Sequence, residues 1–288
     1  MKSTSLFKAA LIAALCISLP VPAWAADENW RTRASAADEI TSGDIAAEVE
    51  FGRAIAARIL GRYPAYDNPA FIKYVNLVGL ALARNTNRPE LNFHFTILDT
   101  SEVNAYAAPG GYVFVTTGAL QLMKNESELA GVLGHEIAHV AEMHVVKELN
   151  IKGTDDSVMS GLAQLVGGSS ESARAAFSQA VDKGLDMIFR DAYKRDDELQ
   201  ADSTAVILCA LSGYDASALA KYLDKTRAIK EKVTVPDTDQ THPSFDTRIS
   251  RINEVIAKNG IDTAKLATRQ KRFSSASKGL KPAAPPKR

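Results

Sequence analysis

The residues best suited to chemistry are His135, Glu136 and His139, within the run His-Glu-Ile-Ala-His. On a helix of 3.6 residues per turn, the two histidines point about 40° apart and can bind one metal ion. Glu136 points about 100° away from His135, so it can take a proton from water on the open side of the metal. Imidazole suits Zn²⁺, whose catalytic sites combine three protein ligands with water. The pattern predicts one zinc ion per chain and hydrolytic chemistry.

The third metal ligand must come from another part of the chain, and Glu198 is the better candidate. Glu198 and Asp202 are four residues apart on a later predicted helix, so both carboxylates face the same way. One can bind the metal while the other orients a histidine. A solvated acidic face is the alternative, because further aspartates precede this pair, and spacing alone leaves both interpretations open.

Three other polar residues receive structural interpretations. Glu142 shares the helical face of His135 and His139, but three ligands from one unbroken helix fit a tetrahedron poorly, which favours a surface acid. His144 lies about 180° from His135, which favours a packing residue or one that supports a ligand. His94 stands between two phenylalanines in a predicted strand, which favours a structural role.

Composition and charge exclude several classes of protein. The 288 residues include 46% hydrophobic residues, with 34 Lys+Arg against 34 Asp+Glu. These values are typical of a globular protein and exclude disordered, collagen-like and polytopic membrane chains. The zero net charge predicts that nucleic acid is not a partner, since phosphate binding needs an excess of lysine and arginine.

The first 25 residues have the pattern of a signal peptide. Lys2 and Lys8 precede an apolar run, residues 9–19, and an Ala-Trp-Ala cleavage site ends at Ala25. The run is shorter than the ~20 residues that span a bilayer, so we expect cleavage after Ala25 and export. Cys209 is then the only cysteine, which leaves no internal disulfide.

The remaining periodicity predicts one mainly helical α+β domain, residues 26–259. Residues 91–98 and 112–117 are rich in β-branched and aromatic residues and predict two strands joined through a turn. Asn125, with Glu128 three residues later, predicts the start of the helix that carries the two histidines. We expect that helix to continue to about residue 149.

Two segments outside these elements have distinctive compositions. Residues 153–180 are rich in Gly, Ser and Ala, which predicts a mobile lid between the histidine helix and Glu198. Residues 260–288 contain eight Lys or Arg and one acid, which predicts a basic, disordered tail.

Several ordered motifs accompany the His-Glu-x-x-His run. They are Asn104–Val115 (Asn-Ala-Tyr-Ala-Ala-Pro-Gly-Gly-Tyr-Val-Phe-Val), Gly134–Val140, Glu198–Asp202 and Thr241–Ser244 followed by Arg248. With these motifs the chain resembles the zinc metallopeptidase family of HtpX and the CAAX prenyl protease, peptidase family M48. It is most similar to the soluble periplasmic, BepA-like branch, over about residues 40–258.

The resemblance implies a gluzincin-type zincin fold with a small β-sheet next to the active-site helix. It implies that Glu198 is the third zinc ligand and that Asp202 holds a ligating histidine. It also implies that Asn104 binds substrate backbone, and that Arg248 and His242 act near the reacting carbonyl. In some relatives a histidine at the position of His242 closes over the zinc, which gives the hypothesis of a latent state.

The expected function is that of a zinc metalloendopeptidase acting on misfolded or misassembled cell-envelope proteins in the periplasm of a Gram-negative bacterium. We expect an extended substrate to add to the strand near residues 112–117, and peripheral association with the outer membrane or its assembly machinery. We expect no helical-repeat domain, since 28 residues follow Gly260. The alternatives are a latent protease acting mainly as a chaperone or scaffold, and a zinc enzyme acting on a non-peptide substrate.

Overall fold

The computed structural model describes residues 40–153, 171–191, 193–230 and 243–280. In chain order its elements are α1 Ser42–Arg62, α2 Pro69–Ala83, β1 His94–Leu98, β2 Ala105–Ala108, β3 Tyr112–Thr116, α3 Thr117–Leu122, α4 Glu126–Ala141, α5 His144–Glu148, α6 Glu171–Asp186, α7 Arg195–Leu211, α8 Ala218–Lys230, α9 Phe245–Lys258 and α10 Gln270–Ala276. The signal peptide, His242 and residues 154–170 of the expected lid lie outside the described residues.

Short polar side chains start the helices that build the site. At α1, the Thr41 hydroxyl accepts from the Asp44 backbone N–H at 3.1 Å, and the Asp44 carboxylate accepts from the Thr41 N–H at 3.0 Å. At α4, the Asn125 side chain accepts from the Glu128 N–H at 3.0 Å. The predicted helix start after Asn125 is therefore confirmed.

The sheet has three strands in the order β1-β3-β2. β1 pairs with β3 in parallel and β2 pairs with β3 in antiparallel fashion. The prediction of two strands joined through a turn is wrong for β1 and β3, because parallel neighbours need a longer connection. β2 supplies that connection. Its run Ala-Tyr-Ala-Ala is too rich in alanine to signal a strand.

The chain reverses between β2 and β3 at Pro109–Gly111. Gly110 has φ 74°, a left-handed conformation that favours glycine, and a Cβ there would lie 2.7 Å from the Cα of Val49 in α1. The Gly110 N–H donates to the carboxylate of Glu48 at 2.9 Å. Glu48 is paired at 2.6 Å with Arg88, which is also buried. This buried ion pair fixes the turn against α1.

Helix α4 is the centre of the fold, since all of its residues are buried. It packs closely on α7: a Cβ on Gly134 would lie 3.5 Å from the Cα of Ala205. The prediction that this helix continues to about residue 149 is wrong. It ends at Ala141, because Met143 adopts a left-handed conformation with φ 61° and starts the separate helix α5.

The described part of the expected lid, residues 171–180, forms the first part of α6. This helix packs against α1, where the rings of Phe177 and Phe51 meet edge to face with centroids 6.3 Å apart. Arg58 of α1 also pairs with Asp182 at 2.5 Å. These residues are therefore anchored on a neighbouring helix, and the lid itself stays a prediction.

The prediction of a disordered tail is wrong for residues 260–280. The Ser127 hydroxyl at the start of α4 donates to the carbonyl of Ala267 at 2.6 Å. The guanidinium of Arg272 pairs with the fully buried carboxylate of Glu126, and Phe273 is only 3% exposed. Basic composition predicts a solvated segment, but these contacts dock residues 260–280 on the start of α4.

The described chain is mainly helical with a small mixed sheet beside α4, as predicted for the α+β zincin-type fold. Among the helices in the described ranges, none combines the length and apolar character needed to cross a membrane.

Candidate metal centre

Three buried donor groups meet where α4 and α7 pack together. The Nε2 atoms of His135 and His139 are 3.1 Å apart. Carboxylate oxygens of Glu198 lie 3.6 Å from His135 Nε2 and 3.5 Å from His139 Nε2. The two distances are to different oxygens of Glu198, and one donor atom from each of the three residues lies within 4.8 Å of the others, close enough to hold one metal ion.

The three polar side chains of this cluster are almost completely buried. His135, His139 and Glu198 are 7%, 3% and 2% exposed. Among the residues that the structure describes, these three form the His, Cys, Asp and Glu group spaced to hold a metal ion. Two imidazoles and a carboxylate are also the kinds of ligand that Zn²⁺ takes in catalytic sites, so the donor set fits the predicted ion.

Asp202 of α7 and Arg248 of α9 contact His135 and Glu198. Asp202 Oδ1 lies 2.9 Å from His135 Nδ1. Arg248 binds both oxygens of Asp202, with Nε at 2.8 Å and Nη2 at 2.7 Å, and its Nη1 lies 3.5 Å from Glu198. Burial favours the neutral acid, but the charge and hydrogen bonds of Arg248 hold the pKa of Asp202 below its usual value.

A second pair of side chains surrounds His139. Its Nδ1 lies 2.8 Å from Nδ1 of His144, the first residue of α5. The ring of Tyr193 stacks on its other side, with centroids 3.7 Å apart and planes 18° apart. Burial lowers the pKa of His144, which favours the neutral imidazole. The left-handed turn at Met143 brings His144 against His139. The angle of about 180° between His144 and His135, expected for one continuous helix, therefore does not apply.

Glu136 stands one position after His135 on α4 and is 8% exposed. Its charge, together with burial as the larger cause, raises the pKa of Tyr193 well above the usual value. Glu136 also contributes to the raised pKa of Arg248, after the carboxylates of Asp202 and Glu198. The Glu136 carboxylate is thus near enough to Tyr193 and Arg248 for its charge to act on both.

A sequence profile of Peptidase family M48 matches residues 71–256, which include α4 and α7 and therefore all three donor residues. The chain belongs to peptidase family M48. The beta-barrel assembly-enhancing protease of Escherichia coli (strain K12) is 26% identical over 254 residues, which cover 84% of this chain and 50% of that protein. The chain thus spans half the length of this relative.

Two further relatives are similar to this chain over shorter ranges. Metalloprotease YcaL of Escherichia coli (strain K12) is 26% identical over 197 residues, 68% of this chain and 74% of that protein. The mitochondrial metalloendopeptidase OMA1 of Homo sapiens is 25% identical over 172 residues, 58% of this chain and 33% of that protein. These relatives place the family M48 chain among metalloproteases.

The remaining predicted site residues of this family M48 chain have varied environments. Asn104 is exposed at the start of β2, and its side-chain oxygen accepts from the Ala105 N–H at 2.9 Å. His94 is exposed and stacks on Tyr112. Glu142 is not a surface acid: it is 5% exposed and accepts from Gln200 at 2.6 Å, because the end of α4 packs on α7.

β2 forms one edge of the sheet and lies against Tyr193, the residue that stacks on His139. The Thr116 N–H donates to the Asn104 carbonyl, so alternate residues of β2 bond to β3, and Ala105 and Ala107 direct their backbone groups outward. The Tyr193 hydroxyl donates to the outward carbonyl of Ala107 at 3.3 Å. The expectation that a substrate adds to β3 is wrong, because both edges of that central strand are paired.

Sequence reasoning missed Tyr193. It lies five residues before Glu198, and no periodicity or motif distinguishes it from other tyrosines. Its position depends on the path of the chain between α6 and α7, where Met187–Asp191 forms a π-helical turn.

Proposed function

We propose that this chain is a zinc-dependent metalloendopeptidase. The observation that carries the proposal is the meeting of the buried His135, His139 and Glu198 side chains, with donor atoms 3.1–3.6 Å apart, next to the buried Glu136 on the same helix. Zn²⁺ held by these three ligands supplies a Lewis acid that polarises a carbonyl and lowers the pKa of a water to about 7.

Glu136 is the general base in this proposal. Its carboxylate accepts a proton from the attacking water and then donates it to the nitrogen of the leaving amine. Asp202 keeps the imidazole of His135 in one orientation through Nδ1, and Arg248 compensates the charge of Asp202. The guanidinium also faces the ligand cluster, where it stabilises negative charge on a carbonyl oxygen. The catalytic role of His242 stays a prediction.

We further propose that the substrate lies along β2. An extended peptide can add to this edge through the N–H of Ala105 and the carbonyl of Ala107, which point away from β3. Asn104 stands at the start of the same edge, where its side chain can exchange the Ala105 N–H for substrate backbone. Hydrogen bonds to the substrate main chain select little between side chains, so this mode of binding suits unfolded segments.

A latent protease is the second candidate, and Tyr193 favours it. Its hydroxyl occupies the Ala107 carbonyl that a substrate N–H would use, and its ring covers His139. In this conformation a peptide and Tyr193 compete for one acceptor. Substrate binding therefore requires Tyr193 to move, and a protein held in this state would not cut peptides.

The proposed substrates are misfolded or misassembled cell-envelope proteins in the periplasm of a Gram-negative bacterium. The signal-peptide pattern before Ala25 supports export. Similarity to a protein named beta-barrel assembly-enhancing protease supports outer-membrane proteins and their assembly machinery as partners. Binding along a free strand edge supports unfolded chains, since folded proteins rarely offer an extended segment.

The test compares wild type with Glu136→Gln in zinc content and in cleavage of casein. We expect equal zinc content and loss of cleavage, because the amide keeps the shape of the side chain but cannot accept the proton. Glu254→Gln is the control, since this glutamate is exposed on α9. Wild type that binds no zinc would contradict the proposal. Zinc-loaded wild type that prevents aggregation of casein without cutting it would support the latent candidate.

A further inference from the structure

We propose that His144 is a positioning residue that fixes the metal ligand His139 by accepting the N–H of its Nδ1. The inference rests on the proposed metal site and goes beyond it, because it assigns a function to a histidine outside the ligand set. Orienting groups behind metal-bound histidines usually fix which ring nitrogen carries the proton and how the ring is turned.

The distances determine which nitrogen donates. His139 directs Nε2 towards the other ligands, at 3.1 Å from His135 and 3.5 Å from Glu198, so Nε2 must offer its lone pair there. The ring proton of His139 is then on Nδ1, which lies 2.8 Å from Nδ1 of His144. Only one proton fits between the two atoms, so His144 is the acceptor.

The second nitrogen of His144 agrees with this assignment. When Nδ1 is the acceptor, the ring proton of His144 lies on Nε2. That buried atom has no hydrogen-bond partner among the described residues, and a carboxylate oxygen of Asp197, at the start of α7, lies 3.8 Å away, beyond hydrogen-bond distance. The hydrogen bond thus runs from His139 to His144, and Asp197 places a negative charge near the protonated Nε2 of His144.

The backbone shows that this contact is built by a special turn. On one continuous helix, His144 would point about 140° away from His139. Met143 breaks the helix with φ 61°, a conformation that side chains with a Cβ rarely adopt. Val145 and Val146, which follow in α5, are 4% and 6% exposed and pack in the core. The core therefore holds the turn, and the turn places His144 against His139.

The two metal-binding histidines have different kinds of support. His135 faces the carboxylate of Asp202, whose charge is balanced by Arg248. His139 instead faces the imidazole of His144, and an imidazole acceptor brings no negative charge that an arginine would need to balance. A neutral acceptor thus orients His139 without adding a further anion beside Glu136 and Glu198.

The experiment compares His144→Leu and His144→Asn, a pair of almost equal shape. The asparagine side-chain oxygen can replace Nδ1 as an acceptor, whereas leucine offers none. We expect the zinc dissociation constant, measured by competition with a chelator, to rise about 10- to 100-fold in His144→Leu. In His144→Asn we expect a value within about threefold of wild type, and no change in the control His94→Asn, whose ring is exposed.

A leucine variant that binds zinc as tightly as wild type would overturn the inference. An asparagine variant as weak as the leucine variant would also overturn it, because ring shape and not the acceptor would then matter. Wild type that binds no zinc would instead overturn the metal site itself.

A measurement on the wild-type protein keeps the test independent of how the variants fold. In protein with ¹⁵N-labelled histidine, long-range proton–nitrogen spectra identify the protonated ring nitrogens. We expect a proton on Nδ1 of His139 and on Nε2 of His144. A proton on Nδ1 of His144 would reverse the hydrogen bond and refute the assignment.

Discussion

Tyr193→Phe tests whether Tyr193 blocks the substrate edge. The change removes the hydroxyl that donates to the Ala107 carbonyl at 3.3 Å and keeps the ring that stacks on His139. We call the protein closed when Tyr193 bonds to Ala107 and open when Tyr193 has moved away. A neutral hydrogen bond contributes about 0.5–1.5 kcal/mol net, so its loss raises the ratio of open to closed protein about 2- to 13-fold. When the closed state dominates, kcat/KM rises by the same factor, because only the open state binds substrate.

The assay is steady-state cleavage of an unstructured fluorogenic peptide at equal zinc content. Tyr214→Phe is the matched control, because it removes a buried tyrosine hydroxyl bonded to Glu126 at 2.8 Å, at the opposite end of α4. We expect Tyr193→Phe to be more active than wild type and Tyr214→Phe to show no gain. If Tyr193→Phe loses activity while it keeps zinc, the hydroxyl assists the reaction and the blocking argument is refuted.

Two further predictions concern the C-terminal segment. Phe273→Ala should lower the free energy of unfolding in urea by about 3 kcal/mol, the lower end of the cost for a buried phenylalanine. Lys271→Ala, at an exposed neighbouring position, should change this free energy little. Equal stability of the two variants would mean that the segment is not docked. Burial tends to raise the pKa of Glu126, but hydrogen bonds from Arg272 and tyrosines lower it below 4.5 overall. The stabilisation that ionised Glu126 contributes is therefore complete at neutral pH and is lost as the pH falls below about 4.5. Glu126→Gln should weaken this pH dependence when the free energy of unfolding is measured across acid pH. An unchanged pH profile would contradict the ion pair.

The fold could be predicted from sequence where the signal is local. The Asn125 cap and the predominance of helix follow from short-range hydrogen bonds and hydrophobic periodicity. The pairing of β1 with β3 could not, because strand order depends on contacts between distant residues and β2 lacks a strand-like composition. The docked tail was missed for the same reason: its charge suggests solvent, and its partner Glu126 is more than a hundred residues away.

The candidate site divides in the same way. The sequence by itself determined that His135 and His139 share one face with Glu136 beside them, because helix geometry fixes residues one and four positions apart. Spacing left Glu198 open as a ligand, and family resemblance pointed to it. Only the tertiary structure brought α7 within 3.6 Å of the two histidines.

The surroundings of the site were decided by tertiary structure alone. A left-handed Met143 turned His144 back onto His139, and the path of the chain before α7 carried Tyr193 to the edge of β2. No local propensity specifies either contact. The physical reason is that a residue in an unfavoured conformation, or a ring against a strand edge, is held by the packing of many distant side chains, which a local sequence pattern does not encode.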